Sequence, residues 1–417
     1  MCPKISQPTD WAGGGLLSIV KLEQSEKAGG RMTTSPSPKI LLAKPGLVGV
    51  GGGADEEATT ASMRSRLPPV GSLNLLSDSW DFHLDRFLPF LTDNTDFTVV
   101  GVIGPPGVGK STLLNLIYGF DPTSPGMLPP FSVQSEETRA NARHCTTGIE
   151  PRISSERFIL LDTQPVFSPS VLAEMTRPDG SSTVPLLTAE TVSSELAHQV
   201  LGIQLGILLA SVCHIVLVVS EGAHDPNMWH FMSSVDLLKH GIPDPSSVTL
   251  HSHSSNLGSD KDKKDKLHGG EEYMATPIFV HTNLRDEDLS PQMSDQMEKA
   301  LAQYYRSSSF VKPRSKCSAD RLSVPSCGHA TTVDSKMDLF TVPRRKDNSW
   351  QYQYESYDSA TWKIRDHVLS MTRSSFSRTV SEREWLKNTA KIWELVKNSS
   401  IIAEYCRMLQ NSGLFRR

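Results

Sequence analysis

The chain has 417 residues, with 42 Lys and Arg against 46 Asp and Glu, a net charge of −4, 38% apolar residues and 28 glycines. At about 100–200 residues per domain, this length allows two domains or one large domain with tails, and the apolar share describes a real core diluted by polar segments. Balanced charge excludes the global basic field of a protein that coats DNA or RNA, and six scattered cysteines without a CxxC pair exclude a secreted disulfide framework.

Taken in chain order, residues 1–73 read as a disordered arm. MCPKISQPTDW has no basic-then-apolar leader pattern, GGG occurs twice, and Thr33–Lys39 is a Ser/Pro run. Within the arm, Lys39–Pro45 (KILLAKP) is a short apolar patch, either incidental or a linear motif that orders on a partner.

Ordered structure is expected from about Leu76. Trp80, Phe82, Leu84, Phe87, Leu88 and Leu91 predict a short helix, and Asp96–Ile103 (DFTVVGVI) a buried strand. A helix should open at Ser111, with further strands at 158–162 (FILLD), Cys213–Val219, Thr276–His281 and Leu339–Val342. Helices are expected over Glu190–Ala210 and Ser290–Tyr305. Leu201–Ser220 is long and apolar enough to resemble a membrane span, but it changes to β-branched residues after His214. A buried helix running into a buried strand therefore fits better, and no membrane is expected. Residues 243–272, with the mixed-charge run SDKDKKDK, read as a disordered insertion, and 344–358 as a loop. Cys317, Cys327 and His329 form the only cysteine–histidine cluster, at spacing wrong for a zinc finger. Beyond the loop, Ser381 and Glu384 fit a capping box, and Trp385, Thr389, Ile392, Trp393 and Val396 follow at helical spacing.

Strands alternating with helices define an α/β, mostly parallel sheet with helices on both faces. The expected plan is an arm (1–73), a P-loop domain (74–343) and, after the loop, C-terminal helices (359–417) packed on that domain. Two apolar faces, one around Trp385 and Trp393 and one on Glu190–Ala210, are candidates for internal packing or for partner contact.

Gly104–Ser111 (GPPGVGKS) matches the phosphate-binding loop G-x-x-x-x-G-K-[ST] in full, after a strand and before a helix. Glycines let successive N–H groups converge on phosphates, the helix N-terminus favours the anion, Lys110 supplies a point charge, and the Ser111 hydroxyl suits Mg²⁺. Pro105 and Pro106 have no N–H, but the converging donors come from Gly107 onward. Hydrolysis would also need a switch threonine, here Thr146 or Thr147, and an Asp at a strand end, here Asp162. Where GTPases carry D-x-x-G, this chain has Asp162, Thr163, Gln164 and Pro165. Proline cannot donate the hydrogen bond that senses a third phosphate, although Gln164 is placed to orient a water. The guanine-reading pattern N-K-x-D is only half present, as Asn283, Leu284, Arg285 and Asp286, so adenine and guanine remain open.

DFTVVGVIGPPGVGKSTLLNLI, TTGIEPRISSERFILLDTQPVFSPSVL, VCHIVLVV and IWELVKNSSIIAEYCRML together resemble the SMG-nine family of nonsense-mediated mRNA decay factors over about residues 76–410. The proline after DTQ is the most specific part, and KILLAKP resembles a family motif. The resemblance implies a G-domain-like fold paired with an SMG-eight subunit, the two restraining the SMG-one kinase that phosphorylates the UPF-one helicase. It implies a bound purine nucleotide (ATP, GTP or GDP) with Mg²⁺, weak or absent turnover, no catalytic residue, no direct nucleic-acid contact and a cytoplasmic location with room for a nuclear pool. Carried over by position, Gly104, Gly107, Val108, Gly109, Lys110, Ser111 and Thr112 would hold the phosphates, and Ser111, Thr146 and Asp162 would lie near the metal. The alternative is an active dynamin- or guanylate-binding-like GTPase. A small-molecule P-loop kinase ranks last, because Arg285 is isolated and Arg344–Arg345 lack a helical lid.

Overall fold

The structure is a computed structural model that describes residues 73–413 except 78, 122–123, 125–126, 142, 178–191, 249–271, 312–336, 346–352 and 373. The arm with KILLAKP, the SDKDKKDK run and the Cys317, Cys327, His329 cluster lie outside the described residues.

Six strands form one sheet: β1 (Thr98–Ile103), β2 (Ile149–Ile153), β3 (Phe158–Thr163), β4 (Ile215–Glu221), β5 (Thr276–Leu284) and β6 (Leu339–Pro343). Their spatial order is β2-β3-β1-β4-β5-β6, with β2 antiparallel to β3 and all other pairs parallel. One antiparallel edge on an otherwise parallel, helix-covered sheet is the G-domain arrangement of the P-loop NTPases. Every residue of β1 is buried, as a run of β-branched residues broken only by Gly101 suits in a central parallel strand. β2 carries Pro151, tolerable because this is an edge strand. Leu76 bridges Ile149 on its outer side.

The helices are α1 (Leu84–Phe87), α2 (Lys110–Tyr118), α3 (Glu136–Ala140), α4 (Pro169–Met175), α5 (Ser194–Val212), α6 (Pro226–Leu238), α7 (Pro291–Tyr304), α8 (Tyr357–Ser370), α9 (Glu382–Lys397) and α10 (Ser400–Asn411). Val100, Val102, Leu160, Leu217 and Val280 face a core closed by α2 and α8. Val99, Ile103, Ile159, Val216 and Phe279 face the larger core, closed by α5, α6, α7 and α9.

The apolar stretch at 201–220 divides as expected: α5 ends at Val212 and β4 begins at Ile215. α5 has the length and hydropathy of a span, but 78% of its most apolar window is buried inside the protein. It is a core helix.

On α9, Trp385, Thr389, Ile392, Trp393 and Val396 are all buried. The Trp385 indole donates to the Val212 carbonyl at 2.8 Å and the Trp393 indole to the Trp80 carbonyl at 3.0 Å, so neither N–H is buried unsatisfied. Both candidate partner faces are therefore internal. Glu382, at the first turn of α9, is wholly buried and accepts from Arg157 Nε at 2.7 Å and from the Thr92 amide at 2.8 Å. The expected insertion is shorter than read, because residues 243–248 belong to the packed body. Asp244 and Ser246 are buried, and Asn388 donates to the Pro245 carbonyl at 2.7 Å.

Candidate functional site

β1 ends at Ile103, and the chain folds back through Gly104–Gly109 into α2. A Cβ on Gly104 would stand 2.1 Å from the Val219 carbonyl oxygen, so only glycine allows the loop to cross β4 this closely. Gly107 and Gly109 take φ of 77° and 94°. The first turn of α2 then presents N–H groups that have no acceptor within the helix.

Lys110 is folded over the loop, with Nζ 3.0 Å from the Gly104 carbonyl and 2.8 Å from that of Pro105. Burial lowers its pKa to about 8, against the opposing pull of the Asp162 carboxylate. An ammonium held on neutral carbonyls is under-compensated and would gain from a phosphate.

The metal-side residues converge. The Ser111 hydroxyl donates to Asp162 Oδ2 at 2.6 Å, and the Thr146 hydroxyl donates to the same oxygen at 2.9 Å. Burial pushes the Asp162 carboxyl up, while Ser111, Lys110 and Thr146 hold it down. Two hydroxyls and one carboxylate form a hard-oxygen set suited to Mg²⁺, which keeps several waters and takes phosphate oxygens. Among the described residues, no three His, Cys, Asp or Glu side chains could hold a metal. A Mg²⁺ ion would be held by Ser111, Thr146 and Asp162 together with phosphate oxygens. Of the two candidate threonines, Thr146 faces Asp162, whereas Thr147 accepts from Asn74 Nδ2 at 3.0 Å.

The cavity above the loop holds about 110 Å³. Its lining includes Gly107, Gly109, Lys110, Ser111 and Thr112 from the loop and α2, together with Thr146, Gln134 and Pro165 from other segments. Gly104 and Val108 are not in the lining. Gly104 packs on β4, and Val108 is buried with its carbonyl accepting from the Thr282 hydroxyl at 3.0 Å.

The third-phosphate side differs from an active switch. Pro165 lines the cavity without an N–H, and the next amide, Val166, donates to the Gly104 carbonyl at 3.2 Å. Gln164 is outside the cavity lining. It is buried, its amide donates to the Gly148 carbonyl at 2.8 Å, and its Oε1 accepts from the Gly148 amide at 3.1 Å. At the base end, Asn283 donates to Glu221 Oε1 at 3.1 Å, and Leu284 is buried beside Pro343 of β6. Leu284 is thus a core residue with no surface to lay on a base. Thr282, Gly148 and Glu221 were missed by sequence reasoning, because each acts on a residue distant in the chain.

No protein-family model matches the chain. The nonsense-mediated mRNA decay factor SMG9 of Xenopus laevis is 29% identical over 415 residues, covering 94% of this chain and 77% of that protein. SMG9 of Xenopus tropicalis is 30% identical over 354 residues, covering 80% of this chain and 66% of that protein. Among solved structures, the septin GTPase domain of Chlamydomonas reinhardtii aligns over 75% of this chain and 98% of its own, at 9% identity and a TM-score of 0.29. The fold assignment rests on the strand order, the antiparallel edge and the phosphate loop.

Proposed function

Because the chain belongs to the SMG9 family of nonsense-mediated mRNA decay factors, we propose that it serves that pathway as a nucleotide-binding regulatory subunit and not as a turnover enzyme. The observation that carries this reading is the contrast within one cavity. Gly107, Gly109, Lys110, Ser111 and Thr112 supply a phosphate-holding lining, while Pro165 in the same lining has no N–H and its neighbour Gln164 lies outside the lining, committed to Gly148. A bound purine nucleotide, ATP, GTP or GDP, with Mg²⁺ on Ser111, Thr146 and Asp162 would then act as a structural ligand. Burial of Leu284 supports weak discrimination between adenine and guanine.

In this reading the chain pairs with an SMG-eight-type G-domain-like subunit and, with it, controls the SMG-one kinase. It works in the cytoplasm, where translation is monitored, with room for a nuclear pool. It makes no direct nucleic-acid contact, in keeping with its net charge of −4. Affinity purification of the tagged full-length chain with mass spectrometry tests the partnership. Recovery of an SMG-eight-type subunit and a giant phosphatidylinositol-kinase-like kinase is expected, and their reproducible absence contradicts it.

A second reading, an active GTPase, is favoured by one observation: Ser111, Thr146 and Asp162 converge as in hydrolysing G domains. Multiple turnover at about one per second, the low end of ordinary enzymes, would establish it over the first.

A further inference from the structure

We propose that Thr282 is a positioning residue of the phosphate loop, acting through the peptide that joins Val108 to Gly109; this rests on the nucleotide-binding reading above. The Thr282 hydroxyl lies 3.0 Å from the Val108 carbonyl and 3.1 Å from the Ser220 carbonyl, and the side chain is 7% exposed. With its one hydroxyl hydrogen shared between these two carbonyls, a single side chain at the end of β5 bridges the middle of the loop and the end of β4. The backbone of Thr282 is held as well, since its carbonyl accepts from the Gly222 amide at 2.9 Å. The hydroxyl thus sits on a fixed support.

What the tie controls follows from peptide geometry. In a trans peptide the C=O and N–H point in opposite directions. A Val108 carbonyl held on Thr282 therefore sends the Gly109 N–H away from Thr282, on the side where Gly109 lines the cavity. Without the tie this peptide could turn over more easily, because the rotation runs through the φ of Gly109, a glycine standing at 94°. A turned peptide would aim a carbonyl at the phosphates in place of a donor. The neighbouring Asn283, which keeps the spacing of a base-reading motif, is committed to Glu221 and does not share this role.

The test is a series at one position in the full chain: Thr282→Ser keeps the hydroxyl, Thr282→Cys keeps a weaker donor, and Thr282→Val keeps the shape without a donor. The readout is affinity for fluorescent mant-ADP and mant-GDP with Mg²⁺. Serine should stay within about twofold of wild type, valine should weaken binding of both nucleotides by about five- to tenfold, and cysteine should fall between. The Gly109 amide resonance, read in ¹⁵N-glycine-labelled protein, should shift on nucleotide addition for wild type and Thr282→Ser and shift less for Thr282→Val. If the valine variant does not fold, the serine–cysteine comparison decides: several-fold weaker binding by cysteine supports the proposal, and equal binding overturns it. Binding by Thr282→Val at wild-type strength also overturns it. Failure of the wild-type protein itself to bind either probe would instead count against the nucleotide-binding reading.

Discussion

Gln164 and Gly148 hold each other by two hydrogen bonds, Gln164 amide to Gly148 carbonyl at 2.8 Å and Gly148 amide to Gln164 Oε1 at 3.1 Å. The pair joins the end of β3 to the start of β2, so the glutamine beside Pro165 serves as a brace. Gln164→Ala should accordingly cost stability, about 1–2 kcal/mol for a buried amide left without its acceptor. Denaturant unfolding should show this loss, with phosphate release unchanged. A large fall in phosphate release at unchanged stability would assign Gln164 to chemistry.

Lys110→Ala should abolish nucleotide-dependent stabilisation. At a hundredfold excess over its dissociation constant, a ligand that binds only the folded state adds about 2.7 kcal/mol, or about 5 °C in melting temperature for a unit of this size. The wild type should gain that shift and the variant almost none. Superimposable wild-type melting curves with and without nucleotide would contradict the account.

Affinity should fall as pH rises. Without ligand the Lys110 amine titrates at about 8, lowered by burial, and a phosphate raises it again. The bound form keeps the proton that the free form loses above about 8, so binding weakens on the alkaline side. Roughly ten in eleven loops carry the ammonium at pH 7 and about one in eleven at pH 9, so the dissociation constant should rise about tenfold. Calorimetry in EDTA, which removes the metal and its Asp162 contribution, reads this directly. A flat profile would mean that Lys110 stays charged throughout.

Glu382→Gln should destabilise the body by about 3 kcal/mol, because Arg157 and the Thr92 amide lose their carboxylate. Burial alone would raise the Glu382 pKa, but the hydrogen bonds from Arg157 and Thr92 outweigh it and hold the group low. A depressed folded-state pKa gives stability that is present above the unfolded value and lost as pH falls through the folded one. The variant should lose that acid-side slope, measured as unfolding free energy against pH. An unchanged slope would assign the acid sensitivity elsewhere.

Most of the sheet was legible because β-branched runs such as TVVGVI and IVLVV bury both faces, and the helix–strand junction inside 201–220 showed in its change of residue type. β2 was hidden by Pro151, whose missing N–H argues against a strand unless its edge position is known. α6 was overlooked although Asp225 caps it, Pro226 opens it, and Met228, Phe231, Met232, Val235 and Leu238 follow at helical spacing. The phosphate loop was legible from its spacing and Asp162 from its place at a strand end, whereas Thr146 and Thr147 were separated only by the fold, which sets Thr146 on Asp162. The braces were not legible. Gln164–Gly148, Thr282–Val108 and Arg157–Glu382 join residues 16, 174 and 225 positions apart, and only the folded sheet brings them together.

The most direct measurement is calorimetric binding of a nucleoside diphosphate and its non-hydrolysable triphosphate analogue, with Mg²⁺, to wild type and to Pro165→Gly. With no N–H at Pro165 and Gln164 turned to Gly148, wild type should bind the two ligands within about threefold of each other, while the glycine variant, given a backbone donor worth about 1–1.5 kcal/mol, should favour the triphosphate by about tenfold. A preference of about a hundredfold or more for the triphosphate in the wild type would contradict a site that holds phosphates without sensing the last one.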